Sequence, residues 1–239
     1  MLLNTTKTVR ELAVEMPNAT RVFEKLGIDY CCGGQQSLEQ ACTTARLSVD
    51  EVLRALEAQA APAAAVATDW KSAPLAELIG HIVATHHAYV KAEVPRLEQL
   101  IAKVVSVHGQ NHPELKQVQA SFRGLGAELG MHMMKEEQIL FPYIAEMEES
   151  VNAGRPVPPC VFGTVRNPVQ MMVMEHDSAG EALHTMREAT SDFVAPADAC
   201  VSYSTLYRAL QEFEADLHQH IHLENNILFP RAIEMEKRG

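Results

Sequence analysis

From Ser72 to the end of the chain, apolar side chains return every three to four positions, the spacing that gives an α-helix one apolar face. Interruptions of that pattern divide the stretch into four long helices. The first runs from Ser72 to about Val107 and stops at His108-Gly-Gln-Asn-His-Pro113, with Ser72-Ala-Pro74 as its entry, a cap hydroxyl followed by a proline in the first turn. The second spans about Glu114 to Glu149 and ends in the Gly/Pro-rich stretch Asn152 to Pro159. A third runs from about Pro168 to Asp192 and is broken by Val194-Ala-Pro-Ala-Asp198, and the fourth occupies roughly Cys200 to Lys237. No strand pattern competes. The expectation is an all-α fold, an up-down four-helix bundle.

The residues before Ser72 follow a different rule. Thr8-Val-Arg-Glu11, Ser37-Leu-Glu-Gln40 and Ser48-Val-Asp-Glu51 each fit the capping box, in which a hydroxyl and the side chain three positions on satisfy each other's backbone N–H groups. Short helices are expected after each. Between the first two boxes lies Gly27-Ile-Asp-Tyr-Cys-Cys-Gly-Gly34, a turn by its glycines. Ala60-Ala-Pro-Ala-Ala-Ala-Val-Ala67 has no apolar period to pack and reads as a linker. Residues 1–66 are thus a small helical domain with its linker, and residues 67–239 the bundle.

Charge narrows the partners. Asp and Glu number 31 against 20 Lys and Arg, a net charge of −11, which repels nucleic acid and anionic membrane. No apolar run approaches the ~18 residues of a membrane span, and the N-terminus lacks a secretory leader. Five cysteines, two of them adjacent, do not form a disulfide framework, so a cytoplasmic, reduced protein is expected.

One segment of the chain occurs twice. His132-Met-Met-Lys-Glu136-Glu-Gln-Ile-Leu-Phe-Pro142 matches His220-Ile-His-Leu-Glu224-Asn-Asn-Ile-Leu-Phe-Pro230. Four residues of helix turn through about 400°, so each His and Glu share a face, roughly 6 Å apart. A lone pair of this kind means little, and His184-Thr-Met-Arg-Glu188, which lacks the Leu-Phe-Pro tail, reads as a solvated face. Two copies with the same flanks mean more. The point midway between His87 and His132 falls in the first turn, between His176 and His220 in the third, and between Glu136 and His176 in the second. In antiparallel hairpins His87, His132, Glu136, His176, His220 and Glu224 therefore reach one height of the bundle. Four imidazoles and two carboxylates suit two borderline first-row ions, iron above all.

The other histidines fall away from that point. His81, His86, His184, His218 and His222 read as ordinary hydrogen-bonded side chains, while His108 and His112 sit at a turn too far from His87. Met131, Met133, Met134, Met171, Met172 and Met174 read as core filler. Cys31 and Cys32 are a candidate thiol site. A disulfide between neighbours is strained and easily reduced, Gly33 and Gly34 free the backbone, and a helix start at Ser37 favours thiolate. Cys42, Cys160 and Cys200 have no such neighbours.

These residues resemble the hemerythrin-like di-iron bundles and, more closely, the repair-of-iron-centres family. The resemblance is carried by Asp29-Tyr-Cys-Cys-Gly-Gly34, Asp69-Trp-Lys-Ser-Ala-Pro-Leu-Ala-Glu77, the two repeated segments and Glu175-His176-Asp177. It implies two non-haem iron ions bridged by the two glutamates and an oxo or hydroxo group. It also implies a stress-response protein that repairs iron–sulfur clusters damaged by nitric oxide or oxidation, and the leading expectation is that it does so by supplying ferrous iron. The partners it implies are damaged iron–sulfur proteins, with nitric oxide or oxygen as a small ligand; a homodimer is left open. Two alternatives stay open: a di-iron nitric oxide reductase, which would make the chain an enzyme, and an oxygen- or nitric oxide-binding sensor of the hemerythrin type.

Overall fold

The computed structural model describes residues 5–16, 18–31, 33–59 and 68–238. The linker read at residues 60–67, with the domain boundary placed near residue 66, lies outside the described residues, as does Cys32. The chain divides into two compact units. One comprises residues 1–74 with the helical stretch 218–231, and the other residues 75–217 with 232–239.

Among the described residues the first unit holds the short helices α1 (Val9–Glu15), α2 (Ala19–Leu26), α3 (Leu38–Ala45) and α4 (Val49–Gln59) beside the stretch 218–231. The capping boxes of α1 and α3 form as their sequences specify. Thr8 Oγ1 accepts from Glu11 N at 3.1 Å while Glu11 Oε2 accepts from Thr8 N at 2.8 Å, and Ser37 and Gln40 repeat the exchange. The two cap residues also pair with each other: Leu38 N donates to Lys7 O and Val9 N to Gln36 O, both at 2.9 Å. The starts of α1 and α3 are thereby tied side by side over a core of Val9, Leu12, Phe23, Leu38, Val52 and Leu56. At the end of α2, Gly27 takes the left-handed conformation, φ 66°, which an L side chain rarely adopts, and stops the helix ahead of the cysteine loop.

The second unit is the up-down four-helix bundle. Its first helix is α5 (Leu75–Ile82), a π-turn Val83–His87 and α6 (Ala88–His108). The second is α7 (Glu114–Lys135), a π-turn Glu136–Leu140 and α8 (Phe141–Asn152). The third is α9 (Arg166–Ala189). The fourth is α10 (Val201–Leu223), a π-turn Glu224–Leu228 and α11 (Phe229–Glu236), and its stretch from His218 to Arg231 belongs to the first unit. Leu78, Ile82, Leu97, Val118, Phe122 and Leu206 fill the bundle core, and Phe122 meets Phe213 edge to face at 5.4 Å. Among the described residues no helix is long and apolar enough to cross a membrane.

The expected helices are present, with their ends moved by a few residues. The entry at Ser72 is different. Ser72 Oγ turns back to Asp69, and the first amides of α5 are capped from across the bundle, with Glu148 accepting from Leu75 N at 2.6 Å and Ala76 N at 2.8 Å. Glu236 does the same for α9, accepting from Val165 N at 2.7 Å and Thr164 Oγ1 at 2.5 Å. Glu148 follows Glu136 by twelve residues and Glu236 follows Glu224 by twelve, so the internal repeat extends to its helix caps. A carboxylate at a helix N-terminus satisfies orphan N–H groups and meets the positive end of the helix dipole.

The methionines divide. Met133 and Met172 are buried, but Met131, Met134, Met171 and Met174 are 40–58% exposed on α7 and α9, which corrects their reading as core filler. Their helices bury other faces, and a helical period alone does not fix which stripe turns inward.

Candidate metal centre

Each repeated segment opens a π-turn at its glutamate. In an α-helix Pro142 would need an N–H to reach the carbonyl of Gln138, and it has none. The helix widens by one residue there, and Phe141 N donates to Glu136 O, five positions back. The second copy behaves alike: Pro230 follows Phe229, whose N–H reaches Glu224 O. The Leu-Phe-Pro tail thus sets the local shape that presents each glutamate. A third π-turn ends at His87.

Within the bundle unit, four of the expected ligands meet. Glu136 is fully buried, and its Oε2 lies 3.4 Å from His87 Nε2 and 3.3 Å from His132 Nε2. His176 Nε2 is 3.1 Å from His132 Nε2. His132, Glu136 and His176 each offer a ligand atom within 4.8 Å of the others. Two imidazole Nε2 atoms that close need a proton or a cation between them, and a carboxylate stripped of water needs compensating charge.

The backs of two of these rings are held. His87 Nδ1 lies 2.7 Å from Glu137 Oε1, and Lys91 Nζ donates to the same carboxylate at 2.6 and 2.8 Å. His132 Nδ1 lies 2.8 Å from Glu175 Oε2, and Lys135 donates to the other oxygen. Burial pushes both carboxyls up, but the hydrogen bonds from lysine and histidine outweigh it and hold Glu137 and Glu175 below the usual carboxylate range. An ionised carboxylate on Nδ1 fixes the proton there and leaves Nε2 as the lone pair facing Glu136. Phe141 stacks on His87 at 5.7 Å. The sequence reading missed Glu137 and Glu175. Their only signal is position, each an acid directly beside an expected ligand.

His220 and Glu224 lie in the stretch that belongs to the first unit. Both are buried, and His220 Nε2 is 3.0 Å from Glu224 Oε1. The cysteine loop is fastened to this same stretch. Asn226 Nδ2 donates to Tyr30 O at 2.9 Å, Gln219 Nε2 to Tyr30 Oη at 2.8 Å, and Tyr30 Oη to Glu24 Oε1 at 2.8 Å. His218 Nδ1 meets the same Glu24 oxygen at 2.9 Å. Burial, aided by the charge of Arg10, pushes His222 down to about 4, so this neutral ring takes a hydrogen bond from Asn226 at 2.8 Å. The copies diverge at this contact: Asn226 is buried where the equivalent Gln138 is exposed.

Around Cys31 the geometry corrects one detail. Asp29 accepts from Cys31 N at 3.0 Å and Gly33 N at 2.8 Å, and Cys31 Sγ, which is buried, donates to Asp29 Oδ1 at 3.4 Å. The glycines serve close approach rather than freedom: a Cβ on Gly34 would lie 2.6 Å from Tyr30 O. His86, read as an ordinary histidine, meets Asp216 at 2.9 Å, and His184 and Glu188 are each 71% exposed, as a solvated pair should be. Cys200 does have a neighbour, His108.

Two family models match the chain: a domain of unknown function (DUF542) over residues 5–60, and the hemerythrin HHE cation binding domain over residues 78–232. A probable iron–sulfur cluster repair protein of Haemophilus influenzae is 39% identical over 93% of this chain and 95% of its own length. The iron–sulfur cluster repair protein YtfE of Escherichia coli is 39% identical over 93% of this chain and 94% of its own. All six expected ligands fall inside the cation-binding match, and the cysteine loop inside the other. With both domains matched in order and the identity sustained from end to end, the chain belongs to the repair-of-iron-centres family of hemerythrin-domain proteins.

Proposed function

We propose that this chain repairs iron–sulfur clusters damaged by nitric oxide or oxidative stress in the cytoplasm, supplying ferrous iron from a di-iron centre held by His87, His132, Glu136, His176, His220 and Glu224. The observation that carries the reading is the fully buried Glu136 carboxylate set against two imidazole nitrogens whose rings are each oriented by an ionised carboxylate. Neutral imidazoles with carboxylates form a borderline donor set that suits first-row divalent ions. The repeat adds a second His–Glu pair of the same form at His220 and Glu224.

Bound iron would supply ferrous–ferric redox chemistry, an affinity for nitric oxide or oxygen, and metal that can be handed on. The protein groups have separate tasks. Glu137 and Glu175 keep the Nδ1 protons so that Nε2 faces the centre. Glu136 and Glu224 offset cationic charge that burial would otherwise make costly. Phe141 covers the His87 ring against water. The acidic balance of the chain favours cation entry. Residues 1–66 act as the small domain and residues 67–239 as the bundle, with the Cys31–Cys32 thiols serving delivery to the damaged client.

Full-length protein loaded anaerobically should hold two iron atoms per chain and reactivate a cluster-dependent dehydratase inactivated by nitric oxide. Glu136→Leu and Glu224→Leu should lose both properties, and Glu188→Leu neither. A single iron per chain, a tight preference for zinc at these six residues, or equal effects at all three glutamates would overturn the proposal.

A further inference from the structure

The turns that close the far end of the bundle unit gather a second set of metal-ligating side chains. His108 ends α6 and His112 lies on the turn that follows it, while Asp198 and Cys200 lie on the one that leads into α10. His108 Nε2 is 3.2 Å from Cys200 Sγ, and His112 Nε2 is 3.1 Å from both oxygens of Asp198. His108 follows His87 by 21 positions on one helix, about 30 Å at 1.5 Å per residue, so this cluster is separate from the candidate metal centre.

We propose that His108, His112, Asp198 and Cys200 form a second metal site that takes one thiophilic divalent cation of the zinc class. Ligands on one tetrahedral zinc, at ~2.0–2.1 Å for nitrogen, ~2.3 Å for sulfur and ~2.0–2.2 Å for oxygen, stand about 3.5 Å apart for N and S and about 3.4 Å apart for N and O. Both pairs already sit within a few tenths of an ångström of those separations. The two imidazole centroids stand 6.3 Å apart, and bringing the pairs onto a single ion requires side chains to turn, those of Cys200 and Asp198 among them. Both are exposed, so no packing resists the turn.

The surroundings orient the imidazoles. Glu114 Oε1 lies 3.1 Å from His112 Nδ1, which leaves Nε2 for an ion, and Tyr203 Oη donates to the same Glu114 oxygen at 3.5 Å. The Tyr203 ring, fully buried, stands edge-on to both histidines, at 5.2 Å from His108 and 5.4 Å from His112, and forms a fixed floor. One thiolate, two imidazoles and one carboxylate select zinc or cobalt(II) over magnesium or calcium, which want oxygen alone.

Titration of the metal-free full-length protein with cobalt(II) tests the assignment. The His/Glu centre contains no sulfur, so a thiolate-to-cobalt charge-transfer band reports this site whatever the fate of the di-iron reading. Within three equivalents of cobalt, two of which the His/Glu centre can take, the band should appear with tetrahedral d–d transitions. Cys200→Ser should abolish it and Cys31→Ser retain it. His112→Ala should weaken binding at least tenfold, and Glu114→Gln about tenfold through loss of ring orientation. Absence of the band from the native protein, its survival in Cys200→Ser, its loss in Cys31→Ser, or native affinity in His112→Ala would each overturn the proposal. Circular dichroism of each variant separates a lost ligand from a lost fold.

Discussion

Glu137→Leu isolates the value of holding a ligand ring from behind. His87 is fully buried and its Nδ1 has the Glu137 carboxylate at 2.7 Å. Leucine leaves that N–H facing an apolar side chain, and a buried donor without its acceptor costs about 1–3 kcal/mol. The metal-free protein can recover part of this by turning the ring. The loaded protein cannot, because Nε2 must stay on the ion, so the penalty falls on binding. At 1.4 kcal/mol per tenfold, affinity for ferrous iron or cobalt should drop about 5- to 150-fold, in line with the 10–100-fold typical of such supporting groups. Glu137→Gln keeps an oxygen for Nδ1 and loses only the charge, so it should stay within about tenfold of native. Lys91 is half exposed, and its ion pair is screened, so Lys91→Met should cost about twofold or less. Competition against a chromophoric chelator, without oxygen, measures all three. A Glu137→Leu protein that binds within twofold of native would show that packing alone sets the His87 ring.

Three further outcomes are expected. Glu148→Ala and Glu236→Ala each remove a carboxylate from two donors at a helix start and should lower stability by about 1–3 kcal/mol, read by calorimetry as a fall of roughly 2–4 °C per kcal/mol; an unchanged midpoint would refute the capping role. Asn226→Leu, in a Cys32→Ser background, should free the Tyr30 carbonyl and speed maleimide labelling of buried Cys31 by at least about fivefold, whereas unchanged labelling would mean that the Tyr30 ring alone holds the loop. Replacing both Cys31 and Cys32 with Ser should leave iron content intact while cluster reactivation falls sharply, and repair at the native rate would make the small domain structural.

The four long helices, the capping boxes at Thr8 and Ser37 and the doubled His–Glu segment were legible in the sequence because each is a local relation. A helical period, a hydroxyl three residues before a Glu or Gln, and a His four residues before a Glu all lie within one or two turns of backbone. The tertiary structure decided everything that depends on which side chain arrives from elsewhere. It replaced Ser72 with Glu148 as the cap of α5, placed Glu137 and Glu175 behind two ligand rings, turned four methionines outward, and set His108 against Cys200. Adjacent acids such as Glu136 and Glu137 look alike in sequence. About a quarter of a turn separates them on the helix, and that rotation buries one carboxylate among imidazoles and leaves the other behind the His87 ring with Lys91. The π-turns stand between the two cases. The proline that provokes two of them is written in the chain, but only the packed helix shows the widened turn and the glutamate it presents.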